Sequence, residues 1–208
     1  MSKNKTKIIF TVAIDGPAAA GKGTIAQSVA KHFGFSYLDS GLLYRAVAAK
    51  MLKGEEEICA AKSINTLDLE LSNLRDPEIS EIASRIAKIT EVRSALFKFQ
   101  RSFSRKEGGA VIDGRDIATV ICPQAEVKIY ITAKLEVRAR RRFKELKTRG
   151  FTVSFPDVIK DLEQRDIRDK NRSEAPLKVA KDAFIIDTSN LKVKAATAAA
   201  ISIVEDQM

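Results

Sequence analysis

The chain has 208 residues, 45% of them hydrophobic, enough for one domain of moderate size with a real core and for little beyond an insert. Its formal charge of +9, from 36 Lys and Arg against 27 Asp and Glu, invites nucleic acid or nucleotides equally as partners. One histidine makes neither a zinc site nor a catalytic triad, no apolar run is long enough to span a bilayer, and the two cysteines lack metal-ligand spacing, so Cys59 and Cys122 read as reduced thiols of a cytoplasmic protein.

The first element is the apolar run Ile8 to Ile14, a buried strand rather than a signal peptide, because the run is short and Asp15 follows at once. Next comes Gly16-Pro17-Ala18-Ala19-Ala20-Gly21-Lys22-Gly23-Thr24 and then a helical pattern over Gly23 to Phe33. A glycine loop between a strand and a helix is the context of a phosphate-binding loop: its backbone N–H groups approach an anion, the helix N-terminus adds partial positive charge, and Lys22 supplies a full one. The strict pattern sets Ser or Thr directly after the lysine, whereas here Gly23 precedes Thr24. Such a loop does not say where a phosphoryl group goes, since GTPases, motor ATPases and small-molecule kinases share it.

Four more strands are expected at Ser36 to Leu38, Ala110 to Ile112, Val127 to Ile131 and Ala183 to Ile186. Helical patterns lie between and after them, at Gly41 to Leu52, Pro77 to Arg105, Leu135 to Thr148, Phe155 to Asn171 and Val193 to Glu205. Alternation of this kind, with continuous apolar strands, predicts an α/β fold with a five-stranded parallel sheet covered on both faces. In such sheets ligands bind beyond the carboxyl ends of the strands. Four of the five strands run out into polar residues: Asp15-Gly16, Asp39-Ser40-Gly41, Asp113-Gly114-Arg115-Asp116 and Asp187-Thr188-Ser189.

In "YLDSGLLYR", Asp39 and Ser40 are suited to cap a helix, with Arg45 about a turn further on. Asp113, after an apolar strand, stands where a carboxylate organises Mg2+ beside a phosphate loop. In "LEQRDIRDKNRSEAPL", Arg165, Arg168, Asp169 and Arg172 fall on one helical face at i, i+3, i+4 and i+7. A solvated, self-paired face is one reading of that stripe. Bidentate contacts to phosphate, with Asp169 free for a hydroxyl, are the other.

Together the phosphate loop, "YLDSGLLYRA", "VIDGRDIATVICPQAEVKIYITA", "VRARRR" and "QRDIRDKNRSEAPL" resemble bacterial cytidylate kinases, within the phosphate-loop nucleoside monophosphate kinases. The resemblance covers most of the chain. It implies a three-layer fold in one domain over residues 1–208, with an acceptor-binding insert at about 46–94 and a lid at about 147–172. It implies ATP on Gly16 to Thr24, with Arg138 and Arg142 of the "VRARRR" run also on the donor side. It implies CMP, and dCMP as second acceptor, against Asp39, Ser40, Gly41, Arg45, Arg115, Asp116, Arg165, Asp169 and Arg172. Arg45, Arg115 and Arg172 would hold the acceptor phosphate, Arg165 and Asp169 would reach the sugar, and Asp116 would read the cytosine amine. The best matches to two further base-reading positions are Ser84 and Arg93. Lys22, Asp113, Arg115, Arg165 and Arg172 are the catalytic set expected, with Mg2+ arriving on ATP near Thr24 and Asp113 through water. Residues 53–80 depart from the family pattern, being shorter and more helical than its usual insert with a small antiparallel sheet.

The nucleophile in such a reaction is a phosphate oxygen already ionised at neutral pH, which agrees with the want of a serviceable histidine. A UMP or AMP kinase is the near rival. A basic nucleic-acid binder is the distant one, disfavoured by 6% aromatic residues and no Trp. The expectation is a monomer acting on small nucleotides, with neither nucleic acid nor membrane as partner.

Overall fold

The computed structural model describes residues 9–208; the basic N-terminus and the expected strand start at Ile8 lie outside the described residues. Five strands form one sheet: β1 (Thr11–Asp15), β2 (Ser36–Asp39), β3 (Ala110–Gly114), β4 (Val127–Thr132) and β5 (Phe184–Asp187). Their order is β2-β3-β1-β4-β5 and every neighbouring pair is parallel. The phosphate-loop strand β1 is central, with Ala13 opposite Ile112 on one side and Lys128 on the other. That register aligns the polar strand ends: Asp39 stands beside Asp113, and Asp15 beside Gly114.

Eight helices join and flank the strands: α1 (Lys22–Phe33), α2 (Ser40–Met51), α3 (Glu57–Lys62), α4 (Pro77–Ile86), α5 (Thr90–Ser104), α6 (Leu135–Thr148), α7 (Phe155–Lys170) and α8 (Val193–Glu205). Residues 53–76 hold α3 and a short 3-10 turn at Leu67–Glu70, and no strand, in keeping with the helical character of that stretch in the sequence.

Strand residues alternate between two apolar clusters. Ala13, Leu38 and Ile112 face the α2–α5 side with Leu43, Leu74 and Leu96. Val12, Ile14, Ile129 and Ile131 face α1 and α8 with Val29, Ala200 and Val204. Leu43, Leu96 and Ile129 are fully buried, and truncating any one of them to Ala costs about 2–5 kcal/mol. A third, smaller cluster packs Ala18 of the phosphate loop against Ala139 and Leu146 of α6 and Val158 and Leu162 of α7. The phosphate loop is thereby seated on both the sheet and the α6–α7 pair.

Two helical expectations need correction. The run Pro77 to Arg105 is two helices, because the chain opens at Ala87–Ile89, with Ile89 extended at φ −81°, ψ 118°. The break leaves the Ala87 carbonyl to Arg93 Nη1 at 3.3 Å and Arg172 Nη1 at 3.4 Å, bonds that an unbroken helix would compete for. The stripe of Arg165, Arg168, Asp169 and Arg172 also does not lie on one helix, since α7 stops at Lys170 and Arg172 comes after it in the extended chain beyond.

Candidate active site

The phosphate loop closes tightly on the sheet. A Cβ on Gly16 would stand 1.9 Å from the Ile131 carbonyl oxygen, so only glycine fits there. Gly21, at φ 94°, turns the chain in the left-handed region and starts α1, whose first amides face the loop. The residues from Ala18 to Thr24 then line one wall of a cavity of about 630 Å³ at the carboxyl ends of the strands.

Lys22 enters this cavity with its Nζ 4.0 Å from Asp113 Oδ2. Burial and nearby Arg115 push the lysine below its ordinary pKa, against the pull of Asp113 and Asp39. Asp113 is pushed up by burial and by Asp39 beside it, while Lys22 opposes the rise. It is held in place by the Tyr37 hydroxyl, which donates to its Oδ1 at 2.7 Å, and its carbonyl accepts the Ser40 hydroxyl at 2.8 Å. Asp39 caps α2 through the Gly41 N–H at 3.0 Å and accepts Arg75 Nη2 at 2.8 Å. Two carboxylates from neighbouring strands thus flank one buried ammonium.

The opposite wall is cationic. Arg45 of α2, Arg165 of α7 and Arg172 after it line the cavity. Arg45 Nε, Arg165 Nε, and Arg172 Nε and Nη2 are buried without a hydrogen-bond partner. Burial and the neighbouring Arg115 press Arg165 down to about 9, which leaves it charged at neutral pH. Buried guanidinium nitrogens normally find partners, so nitrogens left unpaired around one cavity call for an anion. Arg115 donates through Nε to Asp169 Oδ2 at 2.7 Å, and the nearby cations Arg115, Arg165 and Arg172 hold the Asp169 carboxyl below its usual range although burial pushes it up.

The cavity is also lined by Tyr44, Ser84 and Asp116. Arg93 does not itself line it, but donates to Asp116, to the Tyr44 hydroxyl at 3.3 Å and to Ala87. Ser84 Oγ accepts Arg168 Nε at 3.2 Å, and Arg168 also meets Glu81 at 2.7 Å, so this arginine serves α4 rather than the cavity.

The residues expected on the donor side divide. Arg142 lines the cavity and pairs with Glu145 at 2.8 Å. Arg138 is turned away, 5% exposed, donating to the Ala18 carbonyl at 3.3 Å and bidentately to Asp166 at 3.1 and 2.6 Å. It buttresses the phosphate loop from behind, because its position on α6 faces α7. Gly16 and Pro17 likewise shape the loop without lining the cavity. Arg141, rather than Arg138, comes over the loop, meeting Ala20 O at 3.4 Å, Thr188 Oγ1 at 2.9 Å and Thr188 O at 2.7 Å. The cavity continues there between Arg141 and the apolar Leu191 and Val193.

Sequence reasoning missed Tyr37, Tyr44, Arg75, Arg141 and the stretch 188–193. The polar Asp187-Thr188-Ser189 after the last strand was the one available signal for the last of these. No group of three or more His, Cys, Asp or Glu able to hold a metal occurs among the described residues. Asp113 and the Thr24 hydroxyl at the cavity wall suit a hydrated Mg2+ that is carried in by a polyphosphate.

A family model described as cytidylate kinase matches residues 12–206. A cytidylate kinase of Cereibacter sphaeroides is 55% identical over 94% of this chain and 95% of its own. One from Methylocella silvestris is 50% identical over 93% of each chain, and one from Brucella ovis 46% identical over 94% and 93%. Among solved structures, protein TT1252 of Thermus thermophilus superposes with a TM-score of 0.53 at 18% identity, covering 97% of this chain and 99% of its own. A shikimate kinase of Acinetobacter baumannii gives 0.53 at 14%, over 96% and 95%. These two likenesses are of fold alone.

Proposed function

This chain belongs to the cytidylate kinase family and phosphorylates CMP with ATP as donor, and we propose that the cavity between Lys22 and Arg172 is where it does so. The observation that carries the assignment is the set of unpaired, buried guanidinium nitrogens on Arg45, Arg165 and Arg172 opposite a phosphate loop. Two anions must meet head to head for phosphoryl transfer, and this wall supplies the charge for the second one.

The ATP polyphosphate lies on Ala18 to Thr24, with its base between Arg141 and the Leu191–Val193 stretch. Thr24 and Asp113 would hold, through water, a Mg2+ carried in on ATP, and that ion would supply charge neutralisation at the phosphates. Arg45, Arg115 and Arg172 hold the acceptor phosphate, Arg165 reaches the sugar, and Asp169 accepts a sugar hydroxyl with the oxygen that Arg115 leaves free. Lys22, Arg115 and Arg165 stabilise the charge that spreads over the transferred group. No general base is required, because the attacking phosphate oxygen is already ionised. Asp116, held in place by Arg93, and Ser84 read the cytosine, and dCMP is a second acceptor.

Residues 46–94 and 147–172 act as closing parts, excluding water so that ATP is not spent on hydrolysis. The enzyme works as a monomer in this reading, since every residue assigned to either nucleotide belongs to the same chain. A reducing, cytoplasmic setting is supported by free Cys59 and buried, free Cys122. No helix among the described residues is long and apolar enough to cross a membrane.

The test is ADP release from MgATP with CMP, dCMP, UMP, AMP or GMP, and with no acceptor. Fast turnover is expected with CMP and dCMP alone, and Asp116→Asn should narrow the gap between CMP and UMP. Turnover with dCMP no faster than with AMP would remove the second acceptor, and an unchanged gap would remove Asp116 from base reading.

A further inference from the structure

Asp15 ends β1 and takes no part in the chemistry above, yet its side chain is fully engaged. The residue is 1% exposed, and each carboxylate oxygen accepts one backbone amide: Ile117 N–H to Oδ1 at 3.0 Å and Ala118 N–H to Oδ2 at 2.8 Å. Those amides open the wide turn Ile117–Ile121. Its own bonds run five residues back, from Ile121 N to Asp116 O at 3.1 Å and from Cys122 N to Ile117 O at 2.6 Å. Its first amides therefore need a partner from elsewhere, and turns of this width are uncommon without one.

The neighbours on either side of this anchor belong to the two halves of the site. One residue after Asp15 the chain enters the phosphate loop at Gly16, packed so closely on the Ile131 carbonyl that no side chain fits there. One residue before Ile117 is Asp116, paired with Arg93, and before that is Arg115, paired with Asp169. Burial pushes the Asp15 carboxyl up to about 7, against the two backbone donors that pull it down. The fold gains little from ionising it, so its placement serves geometry more than stability.

We propose that Asp15 is a positioning residue whose carboxylate pins the turn bearing Arg115 and Asp116 to the strand bearing the phosphate loop, and so sets the distance between the acceptor and donor sites. The proposal rests on the reading of Arg115 and Asp116 as acceptor contacts.

Asp15→Asn is the first test, since it keeps the size and one accepting oxygen but turns an amide NH2 toward the second backbone N–H. The expected result is a KM for CMP raised at least about tenfold, with the KM for ATP within about threefold. The preference for CMP over UMP should fall as well, and the Tm should not drop. A KM for CMP within about twofold of the parent, or a parallel loss of every constant together with Tm, overturns the proposal. Should Asp15→Asn not fold, Asp15→Ser is read by the same constants, and failure of both to fold assigns Asp15 to the fold and overturns it too. Asp116→Ala is run alongside. If that variant leaves the KM for CMP unchanged, the acceptor reading fails; if it raises KM while Asp15→Asn does not, the role of Asp15 fails.

Discussion

Arg149, just past the end of α6, donates to Asp76, just ahead of α4, across 2.6 Å. The contact joins the 147–172 segment to residues 46–94, and it has company. Arg142 Nη2 reaches the Arg75 carbonyl at 3.4 Å, and Arg168 meets Glu81 at 2.7 Å. The two segments are thus clasped to each other by side chains of the protein itself.

This clasp is modest in energy. The Arg149 and Asp76 side chains are 28% and 33% exposed, and such a pair is worth less than about 1 kcal/mol. Asp76→Asn is expected to raise the KM for CMP by no more than about threefold, with kcat retained. The effect should fade with added salt, which screens the parent's pair as well. KM measured against ionic strength for both proteins checks this, and the two curves should converge.

Lys22→Ala should lower kcat by about three orders of magnitude, because it removes the buried charge aimed at the transferring phosphate. Circular dichroism should show an intact fold. A folded variant near the parental rate would remove Lys22 from the chemistry.

Arg138→Ala should act on stability first. It deletes the bonds to Ala133, Ala18 and Asp166 and leaves a carboxylate without its partner, at a cost of about 3–5 kcal/mol. Urea unfolding of Arg138→Ala, Asp166→Ala and the double variant checks it. The double variant should lose less than the sum of the singles, as expected of residues in direct contact.

Asp15 gives stability a pH dependence of definite sign. Its folded pKa, about 7, lies above the unfolded 3.8, so the folded protein holds the proton more tightly between those values. Its contribution is therefore most favourable at acid pH and is lost as pH rises from about 4 to about 7, then level above. Asp15→Asn lacks this slope. Its stability relative to the parent should climb over that interval, measured by denaturant unfolding at a series of pH values.

Much of the frame was readable in the residues because four of the five strands are apolar runs stopped by a carboxylate or a glycine. Asp15, Asp39, Asp113 and Asp187 mark four of the five strand ends, and the parallel sheet gathers them at one edge. Helices α6 and α8 have the bounds that periodicity predicts. Side-chain direction was less accessible. In "VRARRR" the pattern offers four arginines, and only packing decides that Arg138 turns inward to Asp166, Arg141 over the loop and Arg140 to solvent with Glu136. The opening at Ala87 is similarly tertiary, since no proline or glycine announces it and its carbonyl is claimed by Arg172 from a distant part of the chain. The turn after Asp116 depends on a carboxylate 102 residues earlier, beyond the reach of any local pattern.

The position of β1 in the sheet has a consequence for how the protein comes into being. Thr11 pairs with Ala110, and Val12 with Val127, so the first strand made has no neighbour to bond until synthesis has passed the middle of the chain. No stable half-molecule ending before β3 can carry a seated phosphate loop. Long-range parallel pairing of this kind folds slowly and leaves apolar strands exposed meanwhile. The nascent chain therefore carries Phe10, Val12 and Ile14 without their sheet neighbours until β3 and β4 have been made.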